Sequence, residues 1–239
     1  MPILSFQPRK SITTKLVAVQ IAFLLYDGFT ALDAVGPYDV LSRLPGAEVV
    51  FCAARSGDHR TDNGMLGMNA DATLAEVGAP EMVVVPGGFG TRRLATDESA
   101  EVAWLRQVHP GTTYTTSVCT GALLLGAAGI LDGLRATTHW LERETLRTFG
   151  AEPVPDRVVV EGKIWTAAGV SAGIDMALRL VAAMHGPELA QGIQLGIEYD
   201  PQPPYDTGSP EKAGEPLTGL VRAAMEAENA AAAEALGDA

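Results

Sequence analysis

The sequence is poor in cysteine, in positive charge and in long apolar runs, and each shortage removes a class of protein. Two cysteines, Cys52 and Cys119, in 239 residues cannot make the disulfide framework of a small secreted scaffold. They suit a reducing compartment, where each thiol is either a small core hydrophobe or a reactive group. Lys and Arg number 17 against 29 Asp and Glu, a net charge of −12 with no concentrated basic stretch. Nucleic acid and anionic membrane surfaces both need clustered cations to displace counterions, so neither is an expected partner. The longest apolar run near the start, Leu16 to Tyr26, has 11 residues, against about 20 for a membrane crossing. It follows Arg9, Lys10 and Lys15 as a signal peptide would, yet it contains Gln20 and lacks a convincing cleavage site. The expected location is therefore the cytoplasm.

What is present is a globular composition, 47% hydrophobic, enough to bury one full core. Short β-rich runs alternate with helical patterns, the mark of parallel strands joined by crossover helices in an α/β layered fold. Strands are expected over Leu16–Tyr26, Glu48–Ala53, Met82–Val85 and Thr112–Val118, with a further β-run at Thr137–Trp140 and a hairpin around Glu161-Gly162. Helices are expected over Leu32–Leu44, from a cap at Asp97 to about Val108, and over Thr120–Ala128, Leu141–Phe149 and about Ser171–Met184. Residues 54 to 80 read as loops with short antiparallel pieces, and residues 199 to 216, with five prolines, as a loop without regular structure. Three segments follow: a polar N-terminal extension at 1–15, a single core domain at 16–210 and a helical tail at 211–239. From Leu217 the tail reads as an Ala/Glu-rich amphipathic helix bathed in solvent. No helix-turn-helix module is expected after the core.

The two thiols separate on local sequence. In TTSVCTGALLLGAAG, Cys119 stands where a β-run meets a helix, with Gly121 two residues on. A sharp turn there lifts the side chain out of the sheet, and small neighbours let the helix pack beneath, which is a nucleophile elbow. N–H groups at the helix start favour a thiolate. Cys52, inside EVVFCA, reads as a core residue. The four histidines, His59, His109, His139 and His185, show no metal-ligand spacing, so no metal is expected. His139 reads as a structural histidine at a strand end.

SVCTGALLLGAAGILDGLRATTHW, with VVVPGGFG upstream and GFTALDAVGPYDVL around Asp33, resembles the ThiJ/PfpI superfamily of class I glutamine amidotransferase-like proteins. Within it, the chain resembles the isonitrile hydratases, from Val17 to about Pro210. The resemblance implies a three-layer α/β sandwich, flavodoxin-like, with a mostly parallel sheet flanked by helices and a nucleophile elbow. It implies a homodimer and no cofactor. Cys119 matches the nucleophile, Asp33 the acid that hydrogen-bonds it, and Thr120 a threonine that the hydratases require. Gly88 and the Thr120 N–H stand where relatives donate to an anionic intermediate. The chain departs from the protease-like members, which carry His where it has Thr120, and from true amidotransferases, whose His-x-Glu pair it lacks.

The substrate this resemblance implies is an isonitrile, R–N≡C, hydrated by water to an N-substituted formamide. A thiolate and an adjacent acid supply the two halves of the addition: Cys119 attacks the terminal carbon, Asp33 delivers a proton, and water resolves a covalent thioimidate. Asp33 must be protonated at the first step, so its pKa is expected to be raised and coupled to that of the thiol. Thr120 is expected to place its hydroxyl near Asp33 or the substrate nitrogen, or else to cap the helix. Val170, in AAGVSAGID, is assigned to an apolar pocket wall. Two alternatives remain open: a glyoxalase- or deglycase-like enzyme acting on small α-oxoaldehydes, and a cysteine-based redox or metabolite sensor.

Overall fold

The structure, a computed structural model, describes residues 18–95 and 98–237. In chain order the elements are β1 (Val19–Leu24), α1 (Ala31–Leu41), β2 (Ala47–Ala53), β3 (Gly57–Arg60), β4 (Gly67–Ala70), β5 (Ala72–Thr73) and β6 (Met82–Val85). Then come α2 (Thr91–Leu94), α3 (Ala100–Val108), β7 (Tyr114–Val118), α4 (Gly121–Ala127), β8 (Arg135–Ala136) and β9 (Glu152–Pro153). The chain continues with β10 (Val158–Glu161), β11 (Ile164–Ala167), α5 (Ala172–His185), α6 (Pro187–Gly196), α7 (Pro210–Ala213) and α8 (Glu215–Gly237).

Seven strands form one sheet in the order β10-β11-β7-β6-β1-β2-β5. Every pairing is parallel except that of the edge strand β10, which runs antiparallel to β11. The side chains of the central strands sort by the two-residue period of a pleat. Ile21, Phe23, Met82 and Val84 join one apolar layer with Val40 and Leu41 of α1 and Met176 and Leu180 of α5. Ala22, Leu24, Val83 and Val85 join the other, with Val102 and Leu105 of α3 and Leu123 to Leu125 of α4. A sheet buried on both faces explains why β6 is the unbroken apolar run MVVV, and the result is a three-layer α/β sandwich.

The functional end of this sheet is set by topology. From β1 the chain crosses to β2 on one side, then returns past β1 to β6 on the other. The reversal opens a crevice outside the carboxyl ends of β1 and β6, where open α/β sheets bind ligands. The segments leaving β1, β6 and β7 carry Asp33, Pro86-Gly87-Gly88 and Cys119 to that one place.

Several expectations need correction. The helix ending at Val108 is capped by Ser99, whose Oγ accepts the Val102 N–H at 3.1 Å; Asp97 lies outside the described residues, as does the N-terminal extension. No strand forms at Thr137–Trp140: β8 ends at Ala136, and Thr137 and Thr138 turn to other partners, the Thr137 N–H donating to Thr166 Oγ1 and the Thr138 hydroxyl to the Cys119 carbonyl. Leu141–Phe149 is a pair of tighter 3₁₀ turns, Trp140–Glu142 and Glu144–Phe149, ended by Gly150 at φ 77°. The proline-rich loop is interrupted by α7, and α6 stands where no element was expected.

The elbow is paid for in close contacts, and one substitution measures them. A Cβ on Gly121 would sit 2.1 Å from the Val85 carbonyl oxygen and 2.8 Å from that of Pro86, backbone atoms that cannot rotate aside. Gly121→Ala is expected to lower stability by about 1–3 kcal/mol or more, read as a shift in the denaturant midpoint at unchanged slope.

Candidate active site

Cys119 follows β7 with φ 55°, a left-handed conformation that costs a non-glycine residue roughly 1–3 kcal/mol. Hydrogen bonds hold the turn. The Cys119 N–H lies 3.1 Å from the Ala167 carbonyl and 2.9 Å from that of Ala168, and the Cys119 carbonyl accepts the Thr138 hydroxyl at 2.7 Å. The following helix, α4, buries Gly121 to Gly126 without a break. Cys119 is 6% exposed and Cys52 is fully buried, with burial pushing the Cys52 thiol up to about 12.

Asp33 lies in the first turn of α1, fully buried. Its Oδ2 accepts the Gly87 N–H at 2.9 Å, while Oδ1 has no conventional hydrogen-bond partner. The Cys119 side chain hydrogen-bonds this carboxyl. Gly87 admits the contact, because a Cβ there would meet the Thr120 nitrogen at 2.5 Å and Asp33 Oδ2 at 2.9 Å. Burial raises the Asp33 pKa from 3.8 to about 7, against the pull of Gly87 and Cys119 and with the help of the Asp62 charge.

The thiol departs from expectation. The N–H groups of Val170 and Thr120 hydrogen-bond the sulfur and favour its thiolate, as a helix start should. Burial and the neighbouring Asp33 charge outweigh them and push Cys119 well above the usual thiol range. The two acids oppose each other's ionisation, so near neutral pH the pair retains at least one proton.

Thr120 does not cap α4 with its side chain. Its Oγ1 accepts the Gly88 N–H at 2.8 Å and lies 3.2 Å from the Gly88 carbonyl oxygen. The Gly88 N–H thus has Thr120 as its partner, and Gly88 lines the pocket at φ 138°, where an added Cβ would meet the Gly28 carbonyl oxygen and the Phe29 Cα. Val170 lines the pocket, with two features unforeseen: its φ is 32° and its N–H faces the sulfur. His139 keeps the local hydrogen bond expected of a structural residue and also lines the pocket. Burial, Arg92 and Arg143 hold its pKa at about 4, so it is neutral at pH 7, and its Nδ1 accepts the Leu141 N–H at 3.4 Å.

The cavity above Cys119 has a volume of about 140 Å³. Besides the residues already named it is bounded by Phe89, by the Arg92–Glu142 ion pair and by Thr30, whose hydroxyl donates to Asp62 at 2.7 Å. Met225 and Asn229 of α8 complete it, so the tail helix is not bathed in solvent on every side. Among the described residues no cluster of His, Cys, Asp and Glu is arranged to hold a metal, and no helix is long and apolar enough to cross a membrane.

The sandwich, the elbow and the acid beside it define a class: the chain belongs to the DJ-1/PfpI family, which it matches over residues 19–183. It is 43% identical over 197 residues to the isonitrile hydratase of Pseudomonas putida, an alignment covering 82% of this chain and 86% of that one. It is 34% identical over 188 residues to the HTH-type transcriptional regulator CdhR of Pseudomonas aeruginosa, covering 74% of this chain and 53% of the regulator. The crystal structure of a ThiJ/PfpI family protein from Pseudomonas syringae superposes with a TM-score of 0.82 at 37% identity, covering 99% of this chain and 96% of that one.

A buried acid with a raised pKa leaves a trace in stability that needs no substrate. Between about pH 4 and 7 the unfolded chain ionises Asp33 while the native state keeps it protonated, so native stability falls as pH rises through that window. The shift from 3.8 to about 7 corresponds to roughly 4 kcal/mol. The stability of Asp33→Asn relative to the unaltered protein is expected to grow across pH 4–7 and level off above it, measured as urea unfolding at several pH values.

Proposed function

We propose that the protein hydrates an isonitrile to an N-substituted formamide through a covalent bond to Cys119. The observation that carries this reading is the Cys119–Asp33 pair, with Asp33 fully buried and Cys119 nearly so at the base of a small pocket. The likeness to the Pseudomonas putida enzyme supports it, since the alignment takes in most of both chains.

Each step balances. Sγ of Cys119 bonds to the terminal carbon of R–N≡C, and that carbon gains the thiol's proton by way of the Asp33 carboxyl, giving R–N=CH–S–Cys119. Water adds across the C=N bond to form R–NH–CH(OH)–S–Cys119. The C–S bond then breaks, the hydroxyl proton returns to sulfur through Asp33, and R–NH–CHO leaves. Asp33 is the proton carrier because its second oxygen is unclaimed and because a pKa near 7 suits a group that must both take and give a proton. Thr120 orders the wall by tying Gly88 to the elbow, accepting the Gly88 N–H and donating its own proton to the Gly88 carbonyl, a bond it would exchange to reach the substrate nitrogen. The Val170 and Thr120 N–H groups stabilise the sulfur anion as it forms and again as it departs. Action as a homodimer in the cytoplasm belongs to the same proposal, and two free cysteines suit a reducing compartment.

The test is formamide production from an alkyl or aryl isonitrile. The unaltered protein is expected to turn over and Cys119→Ala is not. Absence of turnover by the unaltered protein overturns the reading; turnover by Cys119→Ala overturns the covalent route. The pH profile supplies a second check. The reactive pair carries a single proton, which Asp33 holds at the moment Cys119 attacks; below about pH 7 the thiol keeps a second proton that an already protonated Asp33 cannot accept, so kcat/KM is expected to rise tenfold per pH unit up to about 7 and then flatten. Asp33→Asn should lose about 10²–10⁴-fold in kcat/KM and, with it, the acid limb. Consumption of methylglyoxal in place of the isonitrile would move the assignment to the glyoxalase-like alternative.

A further inference from the structure

The outermost part of the pocket comes from the tail. Along α8, Thr218, Arg222, Met225 and Asn229 fall at spacings of four, three and four, one stripe of a helix. Each of the four engages the domain. Thr218 is 6% exposed, with its hydroxyl 3.4 Å from the Pro210 carbonyl oxygen. The Arg222 guanidinium lies 5.1 Å from the centre of the Trp140 ring, a cation–π distance. Met225 and Asn229 are half-buried and line the cavity above Cys119. Glu226, one residue on, supports the charge of Arg92, itself a pocket residue ion-paired to Glu142. The helix is thus fastened at Thr218 and Arg222, ahead of the point where Met225 meets the pocket, and Glu226 faces the charge of Arg92 just beyond it.

The volume then becomes a constraint. The space beside Cys119, about 140 Å³, lies well below the roughly 300 Å³ at which drug-sized ligand sites begin; a closed protein cavity of about 150 Å³ holds one benzene ring, and because this pocket is partly open to solvent a larger group must extend outward past the residues at its rim. Of the two α8 residues on the wall, Met225 is the one whose apolar side chain meets an apolar R group.

We propose that α8 is the outer wall of the substrate site and that Met225 limits the R group of the isonitrile to about the bulk of a single ring. This rests on the isonitrile reading for the identity of the substrate, but not for the existence of the wall. The fixed base, built by Cys119, Asp33, Gly87 and Thr120, handles the part common to every isonitrile. The wall handles what differs among them, and it is supplied by a segment that contributes nothing to the sheet.

Two variants of the full chain, Met225→Ala and Met225→Trp, test this by the ratio of kcat/KM for a two-ring isonitrile (naphthyl) to that for a one-ring isonitrile (phenyl). A ratio is used because partial unfolding lowers both rates together and leaves it unmoved. Relief or addition of a few methylene equivalents in an apolar pocket is worth about 10–200-fold. The ratio is therefore expected to rise at least tenfold in Met225→Ala and to fall in Met225→Trp. A ratio within twofold of the unaltered protein in both variants overturns the proposal. A parallel measurement needs no turnover: the rate of Cys119 alkylation by a naphthyl-bearing iodoacetamide relative to iodoacetamide itself, followed by peptide mass at Cys119. If no isonitrile is hydrated while this ratio shifts as stated, the wall stands and the substrate class falls. If isonitriles are hydrated and neither ratio shifts, the substrate class stands and the wall falls.

Discussion

A carboxyl and a thiol share one water-poor site, and neither can lose its proton without opposing the other. Asp33 is fully buried and Cys119 nearly so, and burial is the largest cause of the raised pKa of each. The arrangement is costly to the fold, and it persists because three backbone segments leave it no alternative. The chain reversal between β1 and β6 brings the start of α1 against the Pro86-Gly87-Gly88 turn. The Thr30 N–H donates to the Gly87 carbonyl at 2.7 Å, and the Gly87 N–H donates to Asp33 Oδ2 at 2.9 Å, so one peptide plane on each side fixes the distance between segments. Cys119 arrives from β7, the strand next to β6.

The strain of the elbow is offset in the same way. A cysteine at φ 55° is held by its own N–H and C=O, each bonded to a neighbouring segment, and α4 is anchored by the near-contact of Gly121 with β6. Adding a Cβ to Gly121, or taking the hydroxyl from Thr138, attacks the orientation of the sulfur without touching the sulfur.

Much of this was legible in the sequence, and for identifiable reasons. Met82–Val85 was bounded correctly because an unbroken run of β-branched and apolar residues ending in Pro-Gly-Gly has one reading. The elbow was legible because Cys119 is followed so closely by glycine at the border between two periodicities. The bond from the Gly88 N–H to the Thr120 hydroxyl is not legible, since no pattern in one dimension brings together residues 32 apart. The sign of the thiol shift was misread for a related reason: the helix start is local and visible, whereas burial beside Asp33 is a tertiary fact that outweighs it. Helix α6 buries only Ala190 and Ile193, too thin a stripe to announce itself. The tail is exposed along most of its length, as its composition suggests, and what is not legible is where it docks, because Thr218, Met225 and Asn229 are a modest stripe among alanines and the Trp140 that Arg222 meets lies far back in the chain.

The direction of the thiol shift bears on which alternative the site favours. A redox sensor works through a standing thiolate, accessible and low in pKa, because that is the species peroxide oxidises. Here burial and Asp33 keep the proton on the pair, and two N–H groups wait for a negative sulfur that is scarcely populated at rest. Such donors act when charge develops during a reaction and do little before it. In the proposed hydration the isonitrile carbon is both what the sulfur attacks and where its proton goes, so substrate arrival relieves the conflict that burial created. The same seclusion that keeps Cys119 quiet in the free protein makes it depend on a small substrate able to enter the pocket and accept both halves of the thiol.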